Sequence, residues 1–282
     1  MNILSVQSWV AYGHVGNAAA MFPLQRLGAE VWAVNTVQFS NHTGYGDWTG
    51  RVFGADEIAD VIAGIAARGV LGTCDAVLSG YLGDAAIGGA VLQAVGQVKA
   101  ANPRALWCCD PVMGDAGKGL YVREGVAAFF AGEALARADI LTPNHFELEH
   151  LTGRRIATLA EAKRAVADLQ ARGPRCILVT SLATDTTPAD AIDLLAAEDG
   201  AFHLLRTPRV PLAANGAGDA MAALFLLHRL RSGSAAVALA QAASALYGVL
   251  HATAEAGARE LLLIAAQAEL AAPSRRFAAV AC

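Results

Sequence analysis

The sequence has little charge, few aromatic residues and no apolar run long enough to cross a membrane. Charged residues make up 16% and aromatic residues 6% of the 282 positions, and the net charge is −4. Because the sequence has no excess of positive charge, nucleic acid is a poor candidate partner. No uninterrupted apolar run reaches the roughly 18 residues of a membrane span, and no basic segment precedes an apolar core at the N-terminus. We expect a cytoplasmic protein with no membrane partner.

Cysteine is also scarce, and its spacing points to no disulfide or metal chemistry. The five cysteines, at positions 74, 108, 109, 176 and 282, form no Cys-x-x-Cys pair. Their odd number argues against the disulfide framework of a secreted protein. We therefore expect buried free thiols and interpret Cys108 and Cys109 as packing residues rather than nucleophiles.

The sequence does contain a large apolar fraction, 55%, arranged in alternating strand-like and helix-like runs. The predicted strands are residues 3–6, 31–37, 76–78, 105–109, 140–141 and 176–179, with a hairpin at 193–196 and 201–206. The predicted helices are 17–27, 56–67, 85–100, 159–171, 219–231, 235–254 and 259–271. Strands alternating with helices predict a three-layer α/β/α sandwich around a mainly parallel sheet. No linker or repeat interrupts the pattern, so we expect one domain over residues 1–282.

Polar and glycine-rich segments follow the predicted strands repeatedly. They are Ser8 and the segments 35–46, 79–83, 110–119 and 142–147. In open parallel sheets, ligands bind outside the carboxyl ends of the strands. Together these segments therefore predict one cleft, although each alone is compatible with an ordinary loop.

The run Asn215-Gly216-Ala217-Gly218-Asp219 precedes an apolar helical stretch. Glycines let backbone N–H groups converge on one point, and the helix N-terminus adds positive potential, so an anion is favoured there. An adjacent carboxylate can accept the proton of an attacking hydroxyl. The combination indicates phosphoryl transfer, with Asp219 as the base.

Acids and hydroxyls at other strand ends have two possible roles. Asp110 either binds Mg²⁺ beside nucleotide phosphates or caps a turn. Asn144 and Glu147 have the spacing of a helix capping box, which is an alternative to metal binding by Glu147. Thr180 and Ser181 either contact phosphate or complete a turn.

Six segments occur in the order seen in pyridoxal kinases of the ribokinase-like superfamily, which this chain resembles from residue 3 nearly to its C-terminus. The segments are 12–17 (YGHVGN), 37–45 (VQFSNHTGY), 78–83 (LSGYLG), 110–114 (DPVMG), 142–147 (TPN-x-x-E) and 216–219 (G-x-GD). The second of them is typical of the pyridoxal branch. The resemblance implies that ATP phosphorylates the 5′-hydroxyl of pyridoxal, with pyridoxine and pyridoxamine as further substrates.

The same resemblance implies roles for individual residues. Asp219 matches the catalytic base, and Gly216, Ala217 and Gly218 match the anion hole. The positions that match the pyridoxal site are Ser8, Val15, Phe39, His42, Thr43, Gly44 and Tyr81. Those that match the nucleotide side are Asp110, Asp115, Tyr121, Thr142, Asn144, Glu147, Thr180, Ser181, Pro208, Arg209 and Val210. Asp110 and Glu147 are the implied metal ligands for Mg²⁺, often with a monovalent cation such as K⁺, and a homodimer is implied.

Two features depart from the family pattern. Some bacterial relatives carry lysine where this chain has Thr180, and the connection at residues 210–215 is shorter here, so ATP contacts are expected to differ. Two other functions remain open from the residues: a hydroxymethylpyrimidine kinase, which the segment 39–45 argues against, and a non-catalytic vitamin-binding protein, which the intact Asp219 motif argues against.

Overall fold

The computed structural model describes residues 1–212 and 214–282, and its central feature is a ten-stranded sheet with the order β12-β11-β10-β9-β8-β5-β4-β1-β2-β3. The strands are β1 (Asn2–Val10), β2 (Glu30–Phe39), β3 (Gly50–Val52), β4 (Cys74–Ser79), β5 (Leu106–Cys109), β8 (Ile140–Leu141), β9 (Cys176–Leu182), β10 (Ala191–Glu198), β11 (Ala201–Pro208) and β12 (Val280–Ala281). The six strands from β9 to β2 are mutually parallel. The outer strands β3, β10, β11 and β12 pair antiparallel.

Helices cover both faces of the sheet and bury two apolar cores. One face carries α2 (Ala55–Ala66), α3 (Ala86–Ala101), α4 (Val126–Phe129), α5 (His145–Thr152) and α6 (Leu159–Gln170). The other carries α1 (Asn17–Arg26), α7 (Ala217–Ser232), α8 (Ala235–Glu255) and α9 (Gln267–Ala271). This arrangement confirms the predicted three-layer α/β/α fold. Its parallel strands are covered on both sides, which explains their nearly continuous apolar runs.

Helices α7 and α8 lie inside the structure because they are apolar on almost every side. Residues 220–228 of α7 are all buried between the sheet, α1 and α8. Helix α8 is long and apolar enough to span a membrane by length and composition, but 61% of its most apolar window is buried against the rest of the protein. Such helices are typical of a protein core.

The predicted elements are confirmed with small changes at their ends, and the cysteines follow the expected pattern. Strand β1 extends to Val10, six residues of β9 lie beyond Cys176, and four of the five cysteines are buried free thiols. Cys282 is exposed. The short strands β3 and β12 and the hairpin of β6 (Gly114–Asp115) and β7 (Gly119–Leu120) were not predicted.

The predicted helix at 259–271 is wrong for most of its length, since only the last five residues form α9. Leu261 and Leu263 are both buried while Leu262 between them is only partly buried, so the side chains alternate as in an extended chain. The Leu262 N–H donates to Thr253 Oγ1 at 3.1 Å, which ties this segment to α8. The local helical pattern is overridden by this tertiary contact.

Candidate active site

The carboxyl ends of neighbouring parallel strands place the predicted polar residues side by side. The N–H of Asp110 donates to the Ser79 carbonyl at 2.8 Å, and the N–H of Thr142 donates to the Cys109 carbonyl at 3.1 Å. The N–H of Thr180 donates to the Pro143 carbonyl at 2.9 Å, which adds the end of β9 to the same edge. The sheet register therefore brings Asp110, Thr142 and Thr180 to one cleft, as the order of the segments predicts.

The turn before α7 requires glycine at its first position. Gly216 has φ +86°, and a Cβ there would lie 1.7 Å from the His14 carbonyl oxygen. Gly218 has no heavy atom within 4 Å of an added Cβ, so the space above the first turn of α7 is open. The unpaired N–H groups at this helix start face a space that an anion can occupy.

Asp219 lies in the first turn of α7, beside this open space. Burial raises the pKa of Asp219 to about 6, although hydrogen bonds from the N–H groups of Gly16 and of Asp219 itself lower it. A carboxylate with a pKa near 6 is mostly ionised at neutral pH and still basic enough to accept a proton. The location and basicity of Asp219 suit a general base.

Asp110 is a second buried carboxylate within electrostatic range of Asp219. Its Oδ1 accepts a hydrogen bond from Thr142 Oγ1 at 2.9 Å, and only 6% of the residue is exposed. Burial, followed by the negative charges of Glu147 and Asp219, raises the pKa of Asp110 well above its usual range. The negative charges that Glu147 and Asp219 add near Asp110 favour a bound cation.

Glu147 completes the acidic group and also holds the local backbone together. Its two carboxylate oxygens accept hydrogen bonds from the N–H groups of Met113 and Asn144, each at 2.9 Å, and Asn144 Oδ1 accepts from the Glu147 N–H. This is a complete capping box at the start of α5, so the capping alternative is confirmed. Burial nevertheless raises the pKa of Glu147 to about 8.

The β6–β7 hairpin extends from this acidic group and carries Asp115, one of the residues predicted for the nucleotide side. Its base is fixed by Asn144 Nδ2, which donates to the Gly114 carbonyl at 2.9 Å. Asp115 and Tyr121 are exposed on the hairpin, and the N–H of Tyr121 donates to the Met113 carbonyl at 3.1 Å. Although Tyr121 is about half exposed, partial desolvation of its hydroxyl and the negative charge of Glu147 raise the pKa of Tyr121. The hairpin thus has an anchored base and an exposed end.

Three of the residues predicted for the substrate pocket form one apolar cluster. Val15 and Phe39 are buried in it, and Tyr81 packs against it while staying partly exposed. Trp48, which the sequence analysis did not select, lies with its ring centroid 4.2 Å from that of Phe39. These flat apolar side chains provide a surface for an aromatic ligand.

His42 lies beside this cluster with a defined tautomer. Its Nδ1 accepts a hydrogen bond from the Gly44 N–H at 3.0 Å, so the proton of the neutral ring is on Nε2. Burial, and then the positive charge of Lys118, lowers the pKa of His42, which keeps the ring neutral at pH 7. The Nε2–H is therefore available as a donor, while Thr43 and Gly44 lie exposed in the same turn.

Ser8 lies where β1 approaches the start of α1. A Cβ added at Gly16 would lie 2.3 Å from Ser8 Oγ and 2.2 Å from the Ser8 carbonyl oxygen, so glycine is required for this close approach. The backbone N–H of the same Gly16 lies near enough to Asp219 to lower the pKa of that carboxyl. Gly16 therefore links the predicted substrate residue Ser8 with the predicted base.

The remaining predicted nucleotide residues are Ser181 and residues 208–210. Ser181 has φ +51°, a strained conformation for a residue other than glycine, which is often found at functional sites. Pro208 ends β11, and Arg209 and Val210 line a cavity of about 380 Å³ together with Pro211, Tyr247, His251, Ala254 and Glu255. The shorter connection at 210–215 includes Ala213, which lies outside the described residues.

His145, the first residue of α5, has a structural role. Its Nδ1 accepts from the Ala183 N–H at 3.1 Å, and its Nε2 lies 3.2 Å from the Ile156 carbonyl oxygen. These contacts use both ring nitrogens to join α5 to the chain after β9.

Comparison with known proteins decides the family. A family model described as phosphomethylpyrimidine kinase matches residues 57–262. Over its full length, the chain is 62% identical to a pyridoxal kinase PdxY of Granulibacter bethesdensis, with all of both chains covered. This chain belongs to the pyridoxal kinase family. It is also 55% identical to the pyridoxal kinase PdxY of Rubrobacter xylanophilus, covering 98% of this chain and 96% of the relative.

A solved structure supports the same family assignment. Pyridoxal kinase from Leishmania donovani, in complex with ADP and pyridoxamine, has a TM-score of 0.93 and 31% identity to this chain. The match covers 100% of this chain and 99% of the other. The predicted family and the ribokinase-like fold are confirmed.

Proposed function

We propose that this chain transfers the γ-phosphoryl group of ATP to the 5′-hydroxyl of pyridoxal, giving pyridoxal 5′-phosphate and ADP. The full-length identity of 62% to a pyridoxal kinase carries the proposal. The buried carboxylate of Asp219 beside the open Gly218 turn adds a physical basis for it. Pyridoxine and pyridoxamine differ from pyridoxal only in the substituent at the 4-position and carry the same 5′-hydroxyl, and they are proposed as further substrates.

In this mechanism Asp219 accepts the proton of the 5′-hydroxyl as the oxygen attacks the γ-phosphorus and the bond to the β-phosphate oxygen breaks. The N–H groups at residues 216–218 and the N-terminal end of α7 stabilise the negative charge on the transferring phosphoryl group. The Gly16 N–H holds the Asp219 carboxylate in position. Positioning and electrostatic stabilisation supply most of the catalysis in phosphoryl transfer.

Mg²⁺ with the nucleotide phosphates is proposed for the acidic side of the site. Within residues 1–212 and 214–282, no group of three His, Cys, Asp or Glu side chains is placed to hold a metal alone. This donor set suits Mg²⁺, which is usually held by one or two carboxylates together with substrate phosphates. Asp110 and Glu147 would hold the ion directly or through water, and the ion would neutralise phosphate charge.

On the substrate side, we propose that the pyridine ring lies against Tyr81, Phe39 and Val15. Ser8 and the Nε2–H of His42 are proposed to hydrogen-bond to polar atoms of the ring. Thr43 and Gly44, in the same turn as His42, are proposed to line the rest of the pyridoxal pocket. The nucleotide is proposed to contact Asp115, Tyr121, Thr142, Asn144, Thr180, Ser181 and residues 208–210.

One assay tests the proposed function against its two alternatives. Purified protein is incubated with Mg²⁺-ATP and either pyridoxal or hydroxymethylpyrimidine, while ADP release and phosphorylated product are followed. We expect saturable pyridoxal phosphorylation with kcat/KM for pyridoxal well above that for the pyrimidine. Preference for the pyrimidine would support that kinase instead, and binding of pyridoxal without product would support a vitamin-binding protein.

Replacing Asp110 by asparagine is expected to stabilise the ligand-free protein at pH 8 while weakening its use of Mg²⁺-ATP. The pKa of Asp110 is raised in the folded state, so the folded protein holds this proton more tightly than the unfolded chain does. Its contribution to stability is therefore present at low pH and lost as pH rises through the folded-state pKa. Asparagine keeps the oxygen that accepts from Thr142 and removes the charge.

Thermal unfolding of wild type and Asp110→Asn at pH 5 and pH 8 checks this expectation. Each kcal/mol gained raises Tm by about 2–4 °C in a protein of this size class. A variant that is no more stable than wild type at pH 8, with an unchanged KM for Mg²⁺-ATP, would contradict both the buried charge and the proposed metal role.

Replacing Tyr81 by alanine is expected to raise the KM for pyridoxal substantially and to affect the KM for ATP less. Stacking of an aromatic side chain on a heteroaromatic base contributes about 1–3 kcal/mol where it has been measured for nucleobases. Tyr81→Phe keeps the ring and serves as the matched control. Loss of ATP affinity with normal pyridoxal affinity would reverse the proposed positions of the two ligands.

Three further properties are proposed on the family resemblance. Residues 1–282 act as one domain, which is supported by the single ten-stranded sheet they share. Two copies form a homodimer in the cytoplasm, and a monovalent cation such as K⁺ supports activity. Light scattering of the purified protein gives the oligomeric state, and assays in K⁺ or tetramethylammonium salts test the cation.

A further inference from the structure

A short backbone segment, residues 13–16, lies between the proposed base, the anion turn and the substrate side. The His14 carbonyl oxygen is so close to Gly216 that no Cβ fits there. Two residues later, Gly16 lies against Ser8, and its backbone N–H lies near enough to Asp219 to lower the pKa of that carboxyl. Any shift of this segment would therefore move groups on both sides of the proposed reaction.

Glu260 fixes this segment from the opposite end of the chain. Its Oε2 accepts a hydrogen bond from the His14 N–H at 3.0 Å. Gly13 has φ +96°, and a Cβ there would lie 2.4 Å from the same oxygen, so the carboxylate lies directly against the turn. Glu260 lies in the stretch of turns and bends between α8 and α9, where the predicted helix is absent.

Arg259, the preceding residue, contacts Tyr45, which lies in the same turn as His42 on the substrate side. Its guanidinium carbon lies 3.5 Å from the Tyr45 ring centroid, close enough for a strong cation–π contact. The Tyr45 ring centroid is 6.5 Å from that of His42, and the Tyr45 N–H donates to the His42 carbonyl at 3.0 Å. Arg259 thus acts on the turn that carries His42.

We propose that Arg259 and Glu260 are positioning residues. From outside the active site they fix two segments of it, residues 13–16 and the turn at residues 42–45. This inference rests on the proposed kinase function and deepens it. Glu260 holds the His14 peptide, and through it Gly16 and Gly216, so its loss affects the phosphoryl-transfer step. Arg259 holds Tyr45 and the His42 turn, so its loss affects the binding of pyridoxal.

The two roles predict different kinetic signatures. Glu260→Ala should lower kcat by about 10-fold, because the His14 peptide loses a charge-assisted hydrogen bond. Glu260→Gln should largely restore kcat, because its amide oxygen can accept from the same N–H. Arg259→Ala should raise the KM for pyridoxal by about 3- to 10-fold, with kcat and the KM for ATP nearly unchanged.

Glu133→Ala is the matched control, since Glu133 is exposed and pairs with Arg137 on the surface of the other helical layer. It should leave all kinetic constants unchanged. Wild-type kinetics in Glu260→Ala, or equal losses in Glu260→Ala and Glu260→Gln, would overturn the role of the Glu260 hydrogen bond. A KM change for ATP rather than pyridoxal in Arg259→Ala would overturn the role of Arg259.

Amide hydrogen exchange separates this inference from the proposed function, because it needs no substrate. The His14 amide should exchange slowly in wild type and in Glu260→Gln and fast in Glu260→Ala. An unprotected His14 amide in the wild-type protein would overturn the inference even if the protein proves to be an active kinase. A protected amide in a protein without kinase activity would instead refute the proposed function alone.

Discussion

Replacing Asp219 by asparagine is expected to lower kcat by about 10²-fold or more while pyridoxal still binds. General-base catalysis contributes on this scale. Asparagine is nearly isosteric, and its amide oxygen can still accept the Gly16 hydrogen bond, but it cannot accept the proton of the 5′-hydroxyl. Steady-state kinetics and a binding titration with pyridoxal measure the two quantities separately.

The pH dependence gives an independent check on Asp219. With a pKa of about 6, the carboxylate loses its basic form as pH falls below that value. The kcat of wild type should therefore decrease below about pH 6, and the residual activity of Asp219→Asn should lack this decrease. Near-normal turnover in the variant would refute the assignment of the base.

Replacing Gly216 by alanine is expected to damage both the fold and the activity, whereas the same change at Gly218 should damage activity alone. At Gly216, the positive φ and the overlap of a Cβ with the His14 carbonyl oxygen force the backbone to move. At Gly218, a Cβ meets no protein atom within 4 Å and would project into the space proposed for the phosphoryl group.

Tm and kcat/KM of the two variants test this pair. We expect Gly216→Ala to have a lower Tm than wild type and a kcat/KM that is at least 10²-fold lower. The substitution distorts the proposed anion hole, where loss of a single hydrogen-bond donor lowers kcat by about 10²–10³-fold. Gly218→Ala should keep the wild-type Tm and lose turnover or ATP affinity. Equal Tm values for Gly216→Ala and wild type would show that the turn tolerates a side chain.

The sequence predicts the strand-end residues well because their placement follows from local rules. Asp110 and Thr142 each follow a buried apolar strand, Thr180 lies in the last part of β9, and parallel strands end at one edge. The capping box of Asn144 and Glu147 is likewise encoded in four consecutive positions. The sequence left open whether Glu147 caps the helix or binds metal; the two N–H donors on its oxygens show the capping role, and metal binding remains a proposal beside it.

Residues whose position depends on distant parts of the chain could not be predicted in this way. Trp48 reaches Phe39 through the pairing of β2 with β3, a strand of three residues with no clear pattern of its own. Glu260 reaches His14 across 246 positions, in a stretch whose local pattern favours a helix. A short-range pattern carries no information about such a contact.

The sequence by itself determined the order of strands and helices, the α/β class and the segments that line the cleft, because apolar periodicity and glycine-rich turns act over a few residues. Only the tertiary structure decided how the charges interact. The raised pKa values of Asp110, Glu147 and Asp219 arise from burial, and for Asp110 also from the negative charges of the other two. Burial and charge proximity are properties of the packed chain, because they depend on which residues exclude water from a site.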